Sequence, residues 1–171
     1  MSIEFFPDRE IPLTRGLVAI VDSADYERLS AHNWSVTRSR SGGWYAQRTA
    51  KVDGRWTHVK MHRVIMEPPR GMDVDHIDGN GLNNRRVNMR VCTRKRNLWN
   101  SRRHADGCSG FKGLMYYHGR WKPWLARIHR NGKSTCLGYF ATSEEAARAY
   151  DAAAIRMDGE FARPNFPVVT A

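Results

Sequence analysis

The segment that most limits how this chain can fold runs from residue 74 to residue 104. Its centre reads DHIDGNGLNN at positions 75–84, and glycine and asparagine favour turns over regular elements. The pattern therefore predicts a strand, a long loop, a second strand and a short helix from about Arg94 to Arg103. Asp75 and His76 fall in the first strand, Asn88 just before the second, and Asn97 on the helix.

The charge of the chain points to an anionic partner. Its 171 residues include 28 Lys and Arg against 17 Asp and Glu, a formal net charge of +11. Eight basic residues and no acid lie between positions 85 and 103, which favours a nucleic acid over a merely solvated basic surface or a membrane surface. Six arginines of this run are candidate DNA contacts: Arg85, Arg86, Arg90, Arg94, Arg96 and Arg103.

The first third of the chain is rich in strand signals. Short apolar or mixed runs bounded by Gly, Ser and Asn predict strands at Gly16–Asp22, Trp34–Thr37 and Trp44–Arg48. Between the first two, Asp25–Ala31 is expected to form a helix capped by Ser23. The pair Asp53-Gly54 predicts a two-residue hairpin turn.

After residue 109 the pattern changes, which predicts a second domain. Strands are expected at Phe111–Tyr117, Trp124–Arg130 and Lys133–Phe140, with a type I′ turn at Asn131-Gly132. A capping box from Thr142 to Glu145 opens a helix that ends at Gly159. Its inner face is expected to carry Ala146, Ala149, Tyr150, Ala153 and Met157.

Cysteine use and the N-terminus are typical of a soluble, intracellular protein. Cys92, Cys108 and Cys136 are far apart, so we expect reduced, buried thiols, with neither a disulfide nor a structural zinc site. The N-terminus lacks a signal-peptide pattern, and no apolar run is long enough to cross a bilayer. No membrane association is therefore expected.

Four side chains around the loop suit phosphodiester hydrolysis. That reaction needs a general base to activate water and a divalent cation to stabilise charge on the phosphate. His76 can act as the base. Asp75, on the other side of its strand, and Asn97 supply oxygen ligands for a hard cation such as Mg²⁺. Asn88 can hold the loop by hydrogen bonds across it. Taken singly, each of these residues more often has an ordinary structural role than a role in a site.

Residues 62–100 together resemble the HNH nuclease motif of the ββα-metal fold. The matching residues are DHIDGN at 75–80, NN at 83–84, Asn88-Met-Arg90, Thr93 and Arg96-Asn97. The resemblance implies a metal-dependent DNA endonuclease that uses Mg²⁺ or Mn²⁺, with His76 and Asn88 catalytic and Asp75 and Asn97 as metal ligands. Asparagine at the third position resembles the homing-endonuclease branch, and MHRVIM at 61–66 resembles the segment before HNH cores of phage proteins. These features imply a phage enzyme in the cytoplasm of a bacterial host.

Residues 110–166 resemble the Apetala/ethylene-response-factor (ERF) DNA-binding domain through LGYF at 137–140, Thr142, EEAARAYD at 144–151 and the following AA. In that family a three-stranded sheet lies in the major groove of double-stranded DNA. The resemblance implies the contacts Lys112, Tyr117, Arg120, Trp124, Arg127, His129 and Lys133. Met115 and Cys136 replace residues usual in the plant proteins, so the plant target sequence is not implied.

Tyr117 and Trp124 can equally be core residues. Strand alternation places Trp124 on one face of its strand and Arg127 and His129 on the other. If the helix covers the face of Trp124, Arg127 and His129 are the better DNA contacts.

Taken together, the sequence predicts an α+β chain with two domains. Residues 1–105 form an HNH-type ββα-metal nuclease module with a β-rich N-terminal part. Residues 110–167 form a three-stranded antiparallel sheet packed on one α-helix. A site-specific homing-type endonuclease is the expected function, and the alternatives are a DNA-binding regulator with a decayed nuclease module or an RNA-directed protein. Monomer and dimer, and nicking and double-strand cleavage, stay open.

Overall fold

The computed structural model describes residues 8–39, 42–100 and 109–167. The chain forms two compact units, Met1–Asn97 and Leu98–Ala171. This division cuts the helix Arg94–Trp99. The sequence-based boundary, near residues 105–110, keeps that helix whole in the first domain. No helix in the described ranges has the length and apolarity needed to cross a bilayer.

The first unit is a mixture of small antiparallel sheets and short helices. Hydrogen bonding pairs β1 with β2, joins β3, β4 and β5 in that order, and pairs β6 with β7. The elements are β1 (Asp8–Pro12), β2 (Val18–Asp22), α1 (Ser23–Ser30), β3 (Ser35–Arg38), β4 (Trp44–Val52), β5 (Arg55–Lys60), α2 (Met61–Met66), β6 (Asp73–His76), β7 (Met89–Cys92) and α3 (Arg94–Trp99).

The N-terminal hairpin holds the glycine- and asparagine-rich loop in place. The backbone N–H of Ile20 donates to the carbonyl of Leu82 at 2.9 Å, and Asn84 donates back to Ile20 at 2.7 Å. The backbone N–H of Arg86 donates to the Asp22 carboxylate at 2.8 Å. The loop therefore continues the sheet edge of β2, which satisfies backbone groups that a free loop would leave to water.

One apolar core lies beneath these elements. Its buried members come from every sheet of the unit and include Val21, Leu29, Trp34, Met61 and Val74. Trp34 also donates its indole N–H to the carbonyl of Leu29 at 2.8 Å, as buried indoles commonly do. Because α2 contributes Met61 and Ile65 to this core, its position against β6 is fixed by packing.

The second unit is a three-stranded antiparallel sheet with one helix, as expected from the sequence. The strand order is β10-β9-β8, and its elements are β8 (Leu114–Tyr116), β9 (Trp124–Arg130), β10 (Lys133–Phe140) and α4 (Ser143–Asp158). The capping box at Thr142 and Glu145 is present, and Gly159 ends the helix. Asn131 and Gly132 both have positive φ, which agrees with the predicted type I′ turn.

Several expectations about individual residues were wrong. Ser23 does not cap α1: Asp22 holds that position and makes no side-chain cap hydrogen bond, since its carboxylate bonds Arg86 instead. Met157 is exposed, because the inner face of α4 turns Ala147 and Ala154 inward. Cys136 is exposed whereas Cys92 is buried, and Cys108 lies outside the described residues.

Element boundaries also differ from the sequence-based ones. The strand β1 was not expected, and MHRVIM forms the helix α2 directly after β5. The helix α3 ends at Trp99, and Arg103, to which it was expected to extend, lies outside the described residues. The predicted hairpin at Asp53-Gly54 is confirmed, with Val52 opposite Arg55.

Candidate functional site

The candidate site is built on β6, β7 and α3, which follow one another as strand, strand and helix. In the antiparallel pair, Asp75 lies opposite Arg90 and His76 opposite Met89. Because side chains alternate along a strand, Asp75 and His76 point to opposite faces of β6, as expected. Asn88 immediately precedes β7, and Asn97 lies on α3.

Asn88 closes the loop between the two strands. Its side-chain amide donates to the Asp78 carboxylate at 3.0 Å and to the Asn83 carbonyl at 2.8 Å. Its side-chain oxygen accepts from the backbone N–H of Asp78 at 3.1 Å. Burial opposes ionisation of Asp78, but hydrogen bonds from Asn80, Asn83 and Asn88 outweigh it and lower the pKa of that carboxyl. The loop thus centres on the negatively charged carboxylate of Asp78, which accepts hydrogen bonds from amide N–H groups.

His76 is buried at the point where β6 enters this loop, with only 5% of its surface exposed. Its Nε2 lies 3.3 Å from the side-chain oxygen of Asn84, whose amide donates to the Leu82 carbonyl at 3.2 Å. An amide oxygen can only accept a hydrogen bond, so this contact places a proton on Nε2 and makes Nδ1 the basic nitrogen.

Burial lowers the pKa of His76, partly opposed by the hydrogen bond to Asn84 and by the carboxylates of Asp78 and Asp75. The uncharged imidazole is therefore favoured at neutral pH. An uncharged imidazole with a fixed tautomer is the form that a general base requires.

The proposed metal ligands have protein partners of their own. The buried carboxylate of Asp75 accepts from Nε and a terminal nitrogen of Arg90 at 2.9 and 2.8 Å. Asn97 donates its amide to the Asp73 carboxylate at 3.0 Å, so its side-chain oxygen is the candidate ligand atom. Asp73 and Asp75 share a face of β6 by alternation.

This donor set contains carboxylate and amide oxygens, which fits a hard cation such as Mg²⁺. Within the described residues no three His, Cys, Asp or Glu side chains come together as a metal site. A cation held here would therefore depend on asparagine, water or substrate oxygen for its remaining ligands.

His62 was not expected in the site. Its ring lies edge-on to His76, with centroids 5.2 Å apart, and Tyr45 packs against both at 5.6 and 5.8 Å. Burial, then the neighbouring His76, Lys60 and Arg63, lower the pKa of His62 to about 3. No sequence signal reveals this contact, because it depends on how α2 packs against β6.

A cleft of about 240 Å³ opens beside these rings. Its lining comprises Thr37, Arg38, Ser39, Tyr45, Lys60, His62, Arg63, Asp73, Val74, Arg94 and Asn97. Burial alone would raise the pKa of Asp73, but hydrogen bonds from Asn97 and Arg94 lower it. Asp73 is thus ionised at neutral pH and already paired with Arg94 at 3.2 Å.

Most arginines of the basic run have acidic partners. Arg85 pairs with Asp8 at 2.8 Å and Arg86 with the buried Asp25 at 2.8 Å. The guanidinium of Arg90 is largely buried against Asp75. It therefore pairs with a candidate site residue and is not placed to contact DNA at the surface. Arg94 and Arg96 are exposed.

In the second unit, the helix covers one face of the sheet. Ile128 packs with Tyr150, Ala153 and Ala154 of α4, so alternation places Arg127 and His129 on the open face, where both are exposed. The guanidinium of Arg120 lies over the rings of Tyr117 and Tyr139, 5.5 and 4.8 Å from their centroids. Tyr139 and Trp121, which is 92% exposed, were not among the sequence-based candidates.

Three candidates of the second unit are less suited to contact DNA from that open face. Trp124 is half-buried on the helix-covered face, its ring 4.7 Å from that of Tyr116. Lys112 is half-buried and donates to the carbonyl of Trp99 at 2.9 Å. Lys133 is exposed but lies opposite Arg130, on the face away from Arg127 and His129.

Comparison with known proteins supports a nuclease-type segment. Residues 59–98 match the family model described as HNH endonuclease, and this range holds His62, Asp75, His76, Asn88 and Asn97. The chain is 35% identical to Protein 3.8 of Escherichia phage T7 over 77 residues, 44% of this chain and 63% of the phage protein. It is 29% identical to a mimivirus protein named Uncharacterized HNH endonuclease L560 over 153 residues, 88% of this chain and 76% of that protein.

The chain also resembles plant proteins over part of its length. It is 38% identical over 86 residues to the AP2-like ethylene-responsive transcription factor CRL5 of Oryza sativa subsp. japonica, 47% of this chain and 13% of the factor. The chain thus spans less than two thirds of both the phage protein and the plant factor. The match is partial, and the ERF-like assignment of the second unit stays a prediction.

Proposed function

We propose that this chain is a metal-dependent endonuclease of the site-specific homing type that hydrolyses phosphodiester bonds in duplex DNA. The observation that carries the proposal is the buried His76, with its tautomer set by Asn84, at the start of a loop within the HNH-matched segment. The phage relative supports a place in the cytoplasm of a bacterial host.

The chemistry follows from the side chains that surround the scissile phosphate in this proposal. Nδ1 of His76 accepts a proton from the attacking water, and the Asn84 oxygen stabilises the resulting imidazolium through Nε2–H. Asn88 keeps the loop closed, so that His76 stays oriented. Asp75 and Asn97 would hold Mg²⁺ or Mn²⁺, which supplies charge stabilisation at the phosphate and leaving oxygen.

The role of Arg90 in this scheme is electrostatic. Its guanidinium compensates the Asp75 carboxylate, which is buried before a cation or phosphate arrives, because an unpaired buried charge is costly. Arg127, His129 and Arg120 of the second unit are the side chains that we propose contact DNA and position the nuclease on its target.

Cleavage of supercoiled plasmid with and without Mg²⁺ or Mn²⁺ tests the proposal. Wild type should convert plasmid to open-circle or linear DNA only with metal, and His76→Ala should be slower by roughly 10²–10⁴-fold, the usual contribution of a general base. His58→Ala is the matched control, because His58 is an exposed histidine of β5 and should leave the rate unchanged.

DNA binding by the same variants separates the two main interpretations. His76→Ala should still retard duplex DNA, since the imidazole is buried. Equal cleavage by wild type and His76→Ala would remove His76 from the mechanism. Retardation without cleavage in any metal would instead support a DNA-binding regulator.

A further inference from the structure

The cleft beside His62 is strongly cationic. Four cationic side chains line it, Arg38, Lys60, Arg63 and Arg94, against one carboxylate, that of Asp73. That carboxylate already accepts hydrogen bonds from Arg94 and Asn97. The cleft therefore favours an anion over any cation beyond the one that Asp75 and Asn97 are proposed to hold.

His62, which lines this cleft, has an unsatisfied polar atom. Its Nδ1 is buried and has no hydrogen-bond partner in the described structure. Such atoms are uncommon in folded proteins and call for a partner that the protein itself does not supply. Because His62 packs on His76 with ring centroids 5.2 Å apart, a ligand at Nδ1 would lie beside the proposed general base.

We propose that this cleft binds a phosphate of the DNA backbone next to the phosphate that is cut. Nδ1–H of His62 donates to a phosphate oxygen, and Arg38, Lys60 and Arg63 neutralise its charge. This inference rests on the proposed function and deepens it, because it assigns to His62 a role in positioning the substrate strand.

The first test compares Arg38→Ala with Arg55→Ala. Both arginines are exposed on the β3–β4–β5 sheet, but Arg38 lines the cleft and Arg55 does not. Binding of the full chain to a 5′-fluorescein-labelled duplex is measured in EDTA by anisotropy over a salt series. Arg38→Ala should make the negative slope of log K against log salt shallower by about 0.9, the value for one phosphate contact, and Arg55→Ala should leave the slope unchanged.

The second test compares His62→Phe with His62→Gln. Phenylalanine keeps the ring packing against Tyr45 and His76 but removes both nitrogens, whereas glutamine keeps a hydrogen-bond donor. His62→Phe should bind the duplex roughly tenfold more weakly, as expected for loss of a hydrogen bond to a charged group. His62→Gln should stay closer to wild type. In ¹⁵N spectra of wild type, the His62 ring resonances should move when duplex is added in EDTA.

Three results would overturn the inference. The first is equal salt slopes for Arg38→Ala and Arg55→Ala, and the second is wild-type binding by His62→Phe. The third is a titration with duplex in EDTA that leaves the His62 ring resonances unmoved. If the binding results hold and plasmid is never cut, the cleft is still a DNA phosphate site and only the nuclease proposal fails.

Discussion

Asn88 allows the sharpest prediction about the loop, because a single buried amide makes three hydrogen bonds there. Two of them, with the Asp78 N–H and the Asn83 carbonyl, are worth about 1 kcal/mol each, and the third, with the Asp78 carboxylate, about 2 kcal/mol. Asp78 is exposed, so water can replace part of what is lost. Asn88→Ala should therefore lower the free energy of unfolding of the first unit by about 2–4 kcal/mol.

Hydrogen exchange followed by NMR measures this change locally. The backbone N–H of Ile77 donates to the Asn88 carbonyl, and that of Asp78 to the Asn88 side chain. Exchange of these two amides should accelerate in Asn88→Ala, and urea unfolding should give the global loss. Asn80→Ala is the control within the same loop, since the Asn80 side chain accepts one bond from Leu82 and should cost about 1 kcal/mol or less.

The substitution Asn88→Asp tests whether the side chain at this position must donate a hydrogen bond. It replaces the donating amide with a second carboxylate about 3.0 Å from that of Asp78, so at neutral pH it should destabilise the unit more than Asn88→Ala. As pH falls and the pair takes up a proton, the difference from Asn88→Ala should shrink. A loss below about 1 kcal/mol for Asn88→Ala, or equal losses for Asn80→Ala and Asn88→Ala, would refute the view that Asn88 closes the loop.

Three further outcomes follow from buried groups. Asn84→Ala should slow cleavage roughly tenfold or more with DNA binding retained, because the His76 tautomer is no longer fixed; plasmid cleavage beside retardation measures this. Asp158→Asn should lower the unfolding free energy of the second unit by about 3 kcal/mol in urea, because it breaks the buried pair with Arg130. Burial lowers the pKa of Lys112 from 10.5 to about 8, so the unfolded chain binds more protons between those values. Stability of the second unit should therefore rise with pH across that interval, and Lys112→Met should remove the rise in denaturation midpoint.

Local patterns in the sequence predicted the second unit well. Its turn residues, capping box and alternating strands specify a sheet and a helix through contacts between near neighbours. Alternation also predicted that Arg127 and His129 are the better DNA contacts if the helix covers the other face of the sheet. The packing of Ile128 against Tyr150 shows that the helix does cover that face, and the DNA contacts themselves stay a prediction. The prediction that Met157 lies on the inner face of α4 was wrong, because Ala147 and Ala154 are buried there instead.

The surroundings of the candidate site could not be predicted in the same way. His62, Asp73 and Asn84 reach His76 or Asn97 through the packing of α2, the register of β6 and the anchoring of the loop on β2. None of these leaves a periodic signal. The arginine run shows the same limit: its composition indicates an anionic partner, yet Arg86 and Arg90 neutralise buried aspartates of the protein itself.

The asparagines of the loop explain how an irregular segment can hold the geometry of the candidate site. A strand or helix satisfies its backbone groups by a repeated ladder, but a loop needs side chains that both donate and accept. Asn83 does both, donating to Asp78 at 2.8 Å and accepting from Arg85 at 2.9 Å, and Asn84 and Asn88 do the same. An aspartate of equal size can only accept when ionised. Asparagines whose composition suggests a plain turn therefore form a network of polar hydrogen bonds. At these positions the near-isosteric Asn→Asp substitution should be the most damaging one.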